Sequence, residues 1–259
     1  MSEAAELVHY TSSAGVATIT LDSPHNRNAL SSQLRRELIA GLTAAQRDDS
    51  VRVIVLEHTG PVFCAGMDLK ESRGSDSTDQ GVNEFPAILE QLWNSAKPVV
   101  AKLAGPARAG GVGMVAAADI AVAAREATFA FTEVRIGVIP AIISVTVLPR
   151  LSARAAHELF LTGETFDAAR AAEIGLINSA VSADELDGEV DRFVNALGRG
   201  GPKALAATKE LLREQPHDTV STAFAAMTER SAQFFASAEG QEGMAAFAER
   251  RSPDWVPEG

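Results

Sequence analysis

Apolar and polar positions follow two rhythms along the first half of the chain. Residues 15–21 alternate with period two, placing Val16, Thr18 and Thr20 on one face and Ala17, Ile19 and Leu21 on the other, the pattern of a half-buried strand. Residues 22–28 read as a polar loop broken by Pro24. Ser31 then stands as an N-cap before Leu34, Leu38 and Leu42 at helical spacing. Residues 51–57 form a near-continuous apolar run of strand length, as expected for a strand covered on both faces. The polar stretch 71–80, rich in Ser, Asp and Gly, predicts a mobile surface loop. Phe85, Ile88, Leu89, Leu92 and Trp93 mark a second helix, and residues 98–103 another buried strand. A glycine cluster follows, and then further strands at 119–124 and 128–131. Beyond Pro140 the rhythm becomes helical, at 152–161, 167–174, 183–197, 202–213 and 219–235, with one short strand at 175–181. Strands alternating with helices, then helices alone, predict an α/β core followed by a helical C-terminal part. No sequence repeat or coiled-coil heptad run is present.

Composition narrows the class. The 259 residues are 46% hydrophobic and 22% charged, which excludes disorder and fits one large domain or one domain with a helical appendage. Cys64 is the single cysteine, so an intrachain disulfide and a Cys-rich metal site are excluded. A formal charge of −11 argues against nonspecific binding to nucleic acid or to an anionic membrane. It leaves room for an anionic ligand in a local basic pocket. Residues 1–10 carry two glutamates and no basic run, and the longest apolar stretch, 112–124, is interrupted by Asp119. The expectation is a soluble cytoplasmic protein without a targeting or membrane-spanning segment.

Two glycine-containing segments each lie where a strand hands over to a helix. The first is Phe63-Cys64-Ala65-Gly66-Met67-Asp68-Leu69-Lys70; the second runs from Gly105-Pro106-Ala107-Arg108-Ala109 into Gly110-Gly111-Val112-Gly113-Met114. At such junctions backbone N–H groups lack partners, and two aimed at one point polarise a carbonyl without a metal. Close packing of helix on sheet would produce the same pattern. Gly111-x-Gly113-x-x-Ala116 also imitates a dinucleotide fingerprint. The helix behind it is too short for the usual crossover, and the acidic partner expected at the next strand is missing. The five histidines lack metal spacing; no second histidine completes His157-Glu158, and no G-x-S-x-G elbow occurs. Cys64 at an apolar strand end reads as a small buried hydrophobe. Glu133 differs from these. A carboxylate flanked by apolar residues is costly to bury unless it is paired or has a raised pKa, and a raised pKa suits a general acid/base. A surface glutamate, or one paired to Arg135, are the competing readings.

In this order the segments resemble the crotonase, or enoyl-CoA hydratase/isomerase, superfamily. The resemblance runs through Asn26-Arg27-Asn28-Ala29-Leu30-Ser31, residues 63–71, 105–119 and 133–140, and the later stretches AAHELFLTG, AARAAEIGL and EGMAAFAERRSPDW. It implies an α/β fold, a spiral of ββα turns over residues 1–195, with a helical trimerisation region over 196–259 and a homotrimer or dimer of trimers. It further implies an acyl-CoA substrate, no separate cofactor, and catalytic positions at Glu133 and at the backbone N–H groups of Met67 and Gly110. Substrate-binding positions implied are Arg27, Ala29, Ala65, Gly66, Asp68, Leu69, Lys70 and Gly113, with Arg27 and Lys70 facing the CoA phosphates. Met67, Phe85 and Ile142 are placed either around the acyl chain or in the core.

The departures carry information. Well-studied hydratases of the family use two glutamates, and the first of those positions is Gly113 here. Ala109 and Arg108 stand where glycine and an apolar residue are common. One remaining carboxylate suits movement of a double bond, as in the family's isomerases, whereas the surrounding sequence resembles members labelled hydratase. The expectation is therefore a hydratase-type enzyme acting through an oxyanion hole and Glu133, with 3,2-enoyl-CoA isomerisation and noncatalytic acyl-CoA binding as alternatives.

Overall fold

The computed structural model describes residues 5–68, 71, 84–214 and 219–256. The chain opens with a hairpin, β1 (Val8–Ser13) and β2 (Val16–Leu21), turned through Ala14 and Gly15 at φ 48° and 79°. Positive φ at both turn residues matches the right-handed twist of the strands. β2 buries Ala17, Ile19 and Leu21 and leaves Val16, Thr18 and Thr20 half-buried, as its alternation predicts. β1 gave no such signal because its outer half, Thr11 to Ser13, is exposed at the sheet edge.

From β2 onward the large sheet is parallel. β3 (Val53–His58), β4 (Val99–Leu103), β6 (Ile120–Ala124) and β9 (Ser179–Val181) extend it in the order β1-β2-β3-β4-β6-β9. α1 (Ser32–Arg47), α2 (Phe85–Asn94) and α3 (Gly110–Ala117) make the crossovers. Ile54 and Leu56 of β3 face these helices, joining Ile19, Leu34, Leu38, Leu42, Ile88 and Leu92 in the main core. Val53 and Val55 face the opposite side with Val100 and Val122, covered by Leu186 and Val190 of a later helix, Leu186–Gly198. Burial on both faces explains the unbroken apolar run.

A second, smaller sheet joins β5 (Ala107–Arg108), β7 (Thr128–Ala130) and β8 (Phe166–Asp167). Isolated bridges continue it, Cys64 to Ala107 and Leu30 to Met67. Each circuit thus gives one strand to the large sheet, one short extended piece to the small one, and then a helix. This is the spiral of ββα turns that the resemblance implies.

α4 (Ala141–Val147) packs on α3, followed by α5 (Ala153–Thr162), α6 (Ala168–Glu173), α7 (Leu186–Gly198), α8 (Pro202–Leu211), α9 (Val220–Ala236) and α10 (Ala238–Glu249). Lys209 of α8 and Arg213 both pair with Asp119 at the mouth of β6, tying the helical end to the sheet. The polar stretch 71–80 lies, apart from Glu71, outside the described residues, as do Leu69 and Lys70. Among the described residues no helix is long and apolar enough to cross a membrane.

Candidate active site

The two glycine segments meet in space. Arg108 donates its N–H to the Cys64 carbonyl at 2.9 Å, and a Cβ on Gly111 would fall 2.7 Å from that same oxygen. Gly66, at φ +90°, faces back: a Cβ there would stand 3.0 Å from the Ala109 Cβ and 3.7 Å from the Gly110 nitrogen. Left-handed backbone and close approach both require glycine at this position. The Gly66 N–H donates to Cys64 Sγ at 3.4 Å, and burial pushes the Cys64 thiol up to about 12. Cys64 is a packed thiol with no nucleophilic character.

Two backbone N–H groups lie beside this contact. Leu30 donates its N–H to the Gly66 carbonyl at 2.8 Å and bridges to Met67 in parallel fashion. In that pairing the residues flanking Met67 face Leu30, and the Met67 N–H faces the other way. Gly110 opens α3, where Val112 and Gly113 return to the Ala109 carbonyl at 2.9 and 3.1 Å. The Gly110 N–H precedes any intrahelical acceptor. The segments bearing the two groups touch where Gly66 meets Gly110.

Glu133 arrives from the next turn of the spiral. Ala109 donates its N–H to the Ala130 carbonyl at 3.1 Å, and three residues later Glu133 sits in the 3₁₀ turn Thr132–Ile136. Its Oε2 is buried with no hydrogen-bond partner, and desolvation holds the carboxyl above the usual carboxylate range. Arg135 turns elsewhere, its Nε donating to the Thr162 carbonyl at 2.7 Å. Glu133 is therefore neither a surface glutamate nor half of an ion pair with Arg135.

Gly113 is packed rather than vacant. A Cβ there would lie 2.6 Å from Ile143 Cγ2 and 3.6 Å from Leu89 Cδ2, and Thr146 Oγ1 donates to the Gly113 carbonyl at 3.1 Å. α4 thus closes over the position with aliphatic carbon. The other sequence candidates divide. Asn26 Nδ2 donates to Asp68 Oδ2 at 3.2 Å, and the exposed Arg27 accepts the Ala65 N–H on its carbonyl at 3.1 Å, so residues 26–27 line the same loop as 65–68. Ala29 and Phe85 are buried, while Met67 and Ile142 pack half-buried on the core. The unusual Arg108 braces the small sheet, its guanidinium on the Thr128 carbonyl and hydroxyl. Asp119 is held by Val99 N–H, Lys209 and Arg213.

Two residues were given no role by the sequence reading. Asn28 is fully buried at φ 53°, receiving the Ser23 N–H at 2.6 Å and donating to the Thr59 and Val62 carbonyls at 3.1 and 2.8 Å. Arg35 is buried on the inward side of α1. An asparagine inside a loop was the available signal for the first; a cation one residue from Leu34 offered none for the second. Among the described residues no cluster of His, Cys, Asp and Glu could hold a metal ion.

Comparison with known proteins agrees with the fold. The family model for enoyl-CoA hydratase/isomerase matches residues 11–258. Carnitinyl-CoA dehydratase of Proteus mirabilis is 31% identical over 96% of this chain and 97% of its own. An enoyl-CoA hydratase structure from Shewanella pealeana superposes with a TM-score of 0.89 at 33% identity, covering 96% of each chain. One from Mycobacterium avium is 48% identical over 96% of this chain and 98% of its own, with a TM-score of 0.73. With nearly the whole chain matched and the same spiral fold, the protein belongs to the enoyl-CoA hydratase/isomerase (crotonase) family of enzymes.

Proposed function

We propose that this enzyme binds an acyl-CoA thioester with its carbonyl oxygen between the Met67 and Gly110 N–H groups, and that Glu133 carries the proton that moves. The observation behind this reading is the unpartnered, buried Oε2 of Glu133, where desolvation raises the pKa and so favours a carboxyl that both accepts and returns a proton. Each preorganised donor contributes about 3–4 kcal/mol to the enolate-like transition state. On a 2-enoyl-CoA, ionised Glu133 takes a proton from water as the water oxygen adds to Cβ. The resulting enolate then recovers that proton at Cα, completing hydration. Neither oxidation nor reduction is involved, so the CoA thioester supplies the activation without a separate cofactor.

Isomerisation is the second reading, favoured by the Gly113–Ile143 contact, which leaves aliphatic carbon where another acid would have to act. Glu133 would then take a proton from Cα of a 3-enoyl-CoA and return it at Cγ. Ala29, Ala65, Gly66 and Asp68 shape the thioester end, and Arg27 with Lys70 meets the CoA phosphates. Spectrophotometry separates the readings: hydration removes the conjugated-thioester absorbance of a 2-enoyl-CoA, and isomerisation creates it from a 3-enoyl-CoA. Calorimetric binding without turnover of either class across chain lengths would leave only an acyl-CoA binder.

The proposal extends to assembly. Phe224, Phe235 and Phe247 are 70%, 63% and 88% exposed on α9 and α10, apolar surface suited to self-association of residues 196–259 into a trimer or a dimer of trimers. Sedimentation velocity showing a stable monomer would refute this part.

A further inference from the structure

We infer that Arg35 is a positioning residue for both carbonyl-binding N–H groups, holding the segments that confine them through one buried guanidinium. The inference rests on the reading of Met67 and Gly110 as those donors. Arg35 is 4% exposed, a depth at which a cation needs dedicated partners. Its Nη1 donates to the Leu30 carbonyl at 2.6 Å, and its Nε to Glu84 Oε2 at 3.1 Å. Leu30 is the bridge partner of Met67, and its Cδ1 lies 2.8 Å from where a Cβ on Gly110 would be. Glu84 directly precedes Phe85, whose Cζ lies 3.1 Å from the same point. One side chain therefore spans both walls around Gly110 and the strand that orients Met67.

The two ends of the link are unequal. Glu84 is 48% exposed and rehydrates if released, whereas Arg35 has no such recourse. The constraint accordingly sits on Arg35. A donor misplaced by about 1 Å lowers turnover on the order of 100-fold without removing the contacts that bind the CoA portion.

The test uses the full chain and an arylacryloyl-CoA, whose conjugated absorption moves to longer wavelength when its thioester carbonyl is polarised. Wild type should shift the bound probe. Arg35→Met should lose most of that shift and about 100-fold in kcat, with KM changed by no more than about threefold. Arg35→Lys, which retains a donor for Leu30, should recover part of both, and Glu84→Ala should lose less than Arg35→Met. Circular dichroism and thermal melting establish folding, and if Arg35→Met does not fold, Arg35→Lys and Glu84→Ala decide the matter. Folded variants with wild-type shift and wild-type kcat would overturn the role of Arg35. Wild type that binds the probe calorimetrically without shifting it would overturn the donor reading, and Arg35's role with it.

Discussion

Glu133 unites exclusion from water with the proposed proton transfer. Because burial raises its pKa in the folded state above the ordinary 4.5, the folded form holds the proton more tightly than the unfolded chain does. Its contribution to stability is therefore fully present below the ordinary value and is lost as pH rises through the folded value. Glu133→Gln removes this loss, so the variant should gain melting temperature relative to wild type as pH rises above the ordinary 4.5. The same substitution should lower kcat by about 10²–10⁴-fold while calorimetric binding of a CoA ester persists. Equal loss of binding and turnover would make Glu133 a structural residue. Gly113 makes a separate prediction. Gly113→Ala should destabilise the protein by about 1–3 kcal/mol through its contact with Ile143, despite alanine's better helix propensity. Adding Ile143→Ala should recover part of that loss relative to the sum of the single changes, measurable as coupling in a urea-denaturation cycle.

Among the elements, four capped helix starts were legible. Ser31, Ser152, Asp167 and Thr219 each accept a backbone N–H from the first turn of the helix they precede, and each helix starts within a residue or so of where the sequence places it. α4 was missed because its AIISVTV sequence is rich in β-branched residues, and only its seat against α3 makes it helical. α3 shows no amphipathic stripe, since all eight of its residues are buried, and the family motif located it better than periodicity did. The candidate site was legible as a set of segments; what surrounds Gly113 and Gly110 depends on packing between distant elements. The 23–28 loop illustrates the same limit. Asn28→Ala should cost roughly 3 kcal/mol, combining lost hydrogen bonds with a left-handed backbone that alanine tolerates poorly, and should lower activity by loosening residues 62–68. A variant as stable as wild type would contradict that account.

For the whole molecule, one acidic residue helps to couple the helical C-terminal part to the sheet. Asp119 receives the Val99 N–H from β4, Lys209 from α8 and the Arg213 guanidinium beyond it. Lys209→Met leaves Asp119 with two of these partners and should cost about 2 kcal/mol. Asp119→Ala removes the anion shared by two cations, leaving Lys209 the Lys97 carbonyl and Arg213 the Trp93 ring, and should cost about 3–5 kcal/mol, the larger fall in a denaturant titration. An opposite ranking would show that Lys209 supplies packing more than charge. The spiral topology also has a temporal consequence. Met67, Gly110 and Glu133 belong to successive circuits of the chain, so a ribosome delivers the proposed carbonyl cradle before the acid that acts on it. At about 5–20 residues per second, Glu133 emerges roughly 1–5 s after Gly110 completes the pair. During that interval the nascent chain carries the two proposed N–H donors without the proposed proton carrier.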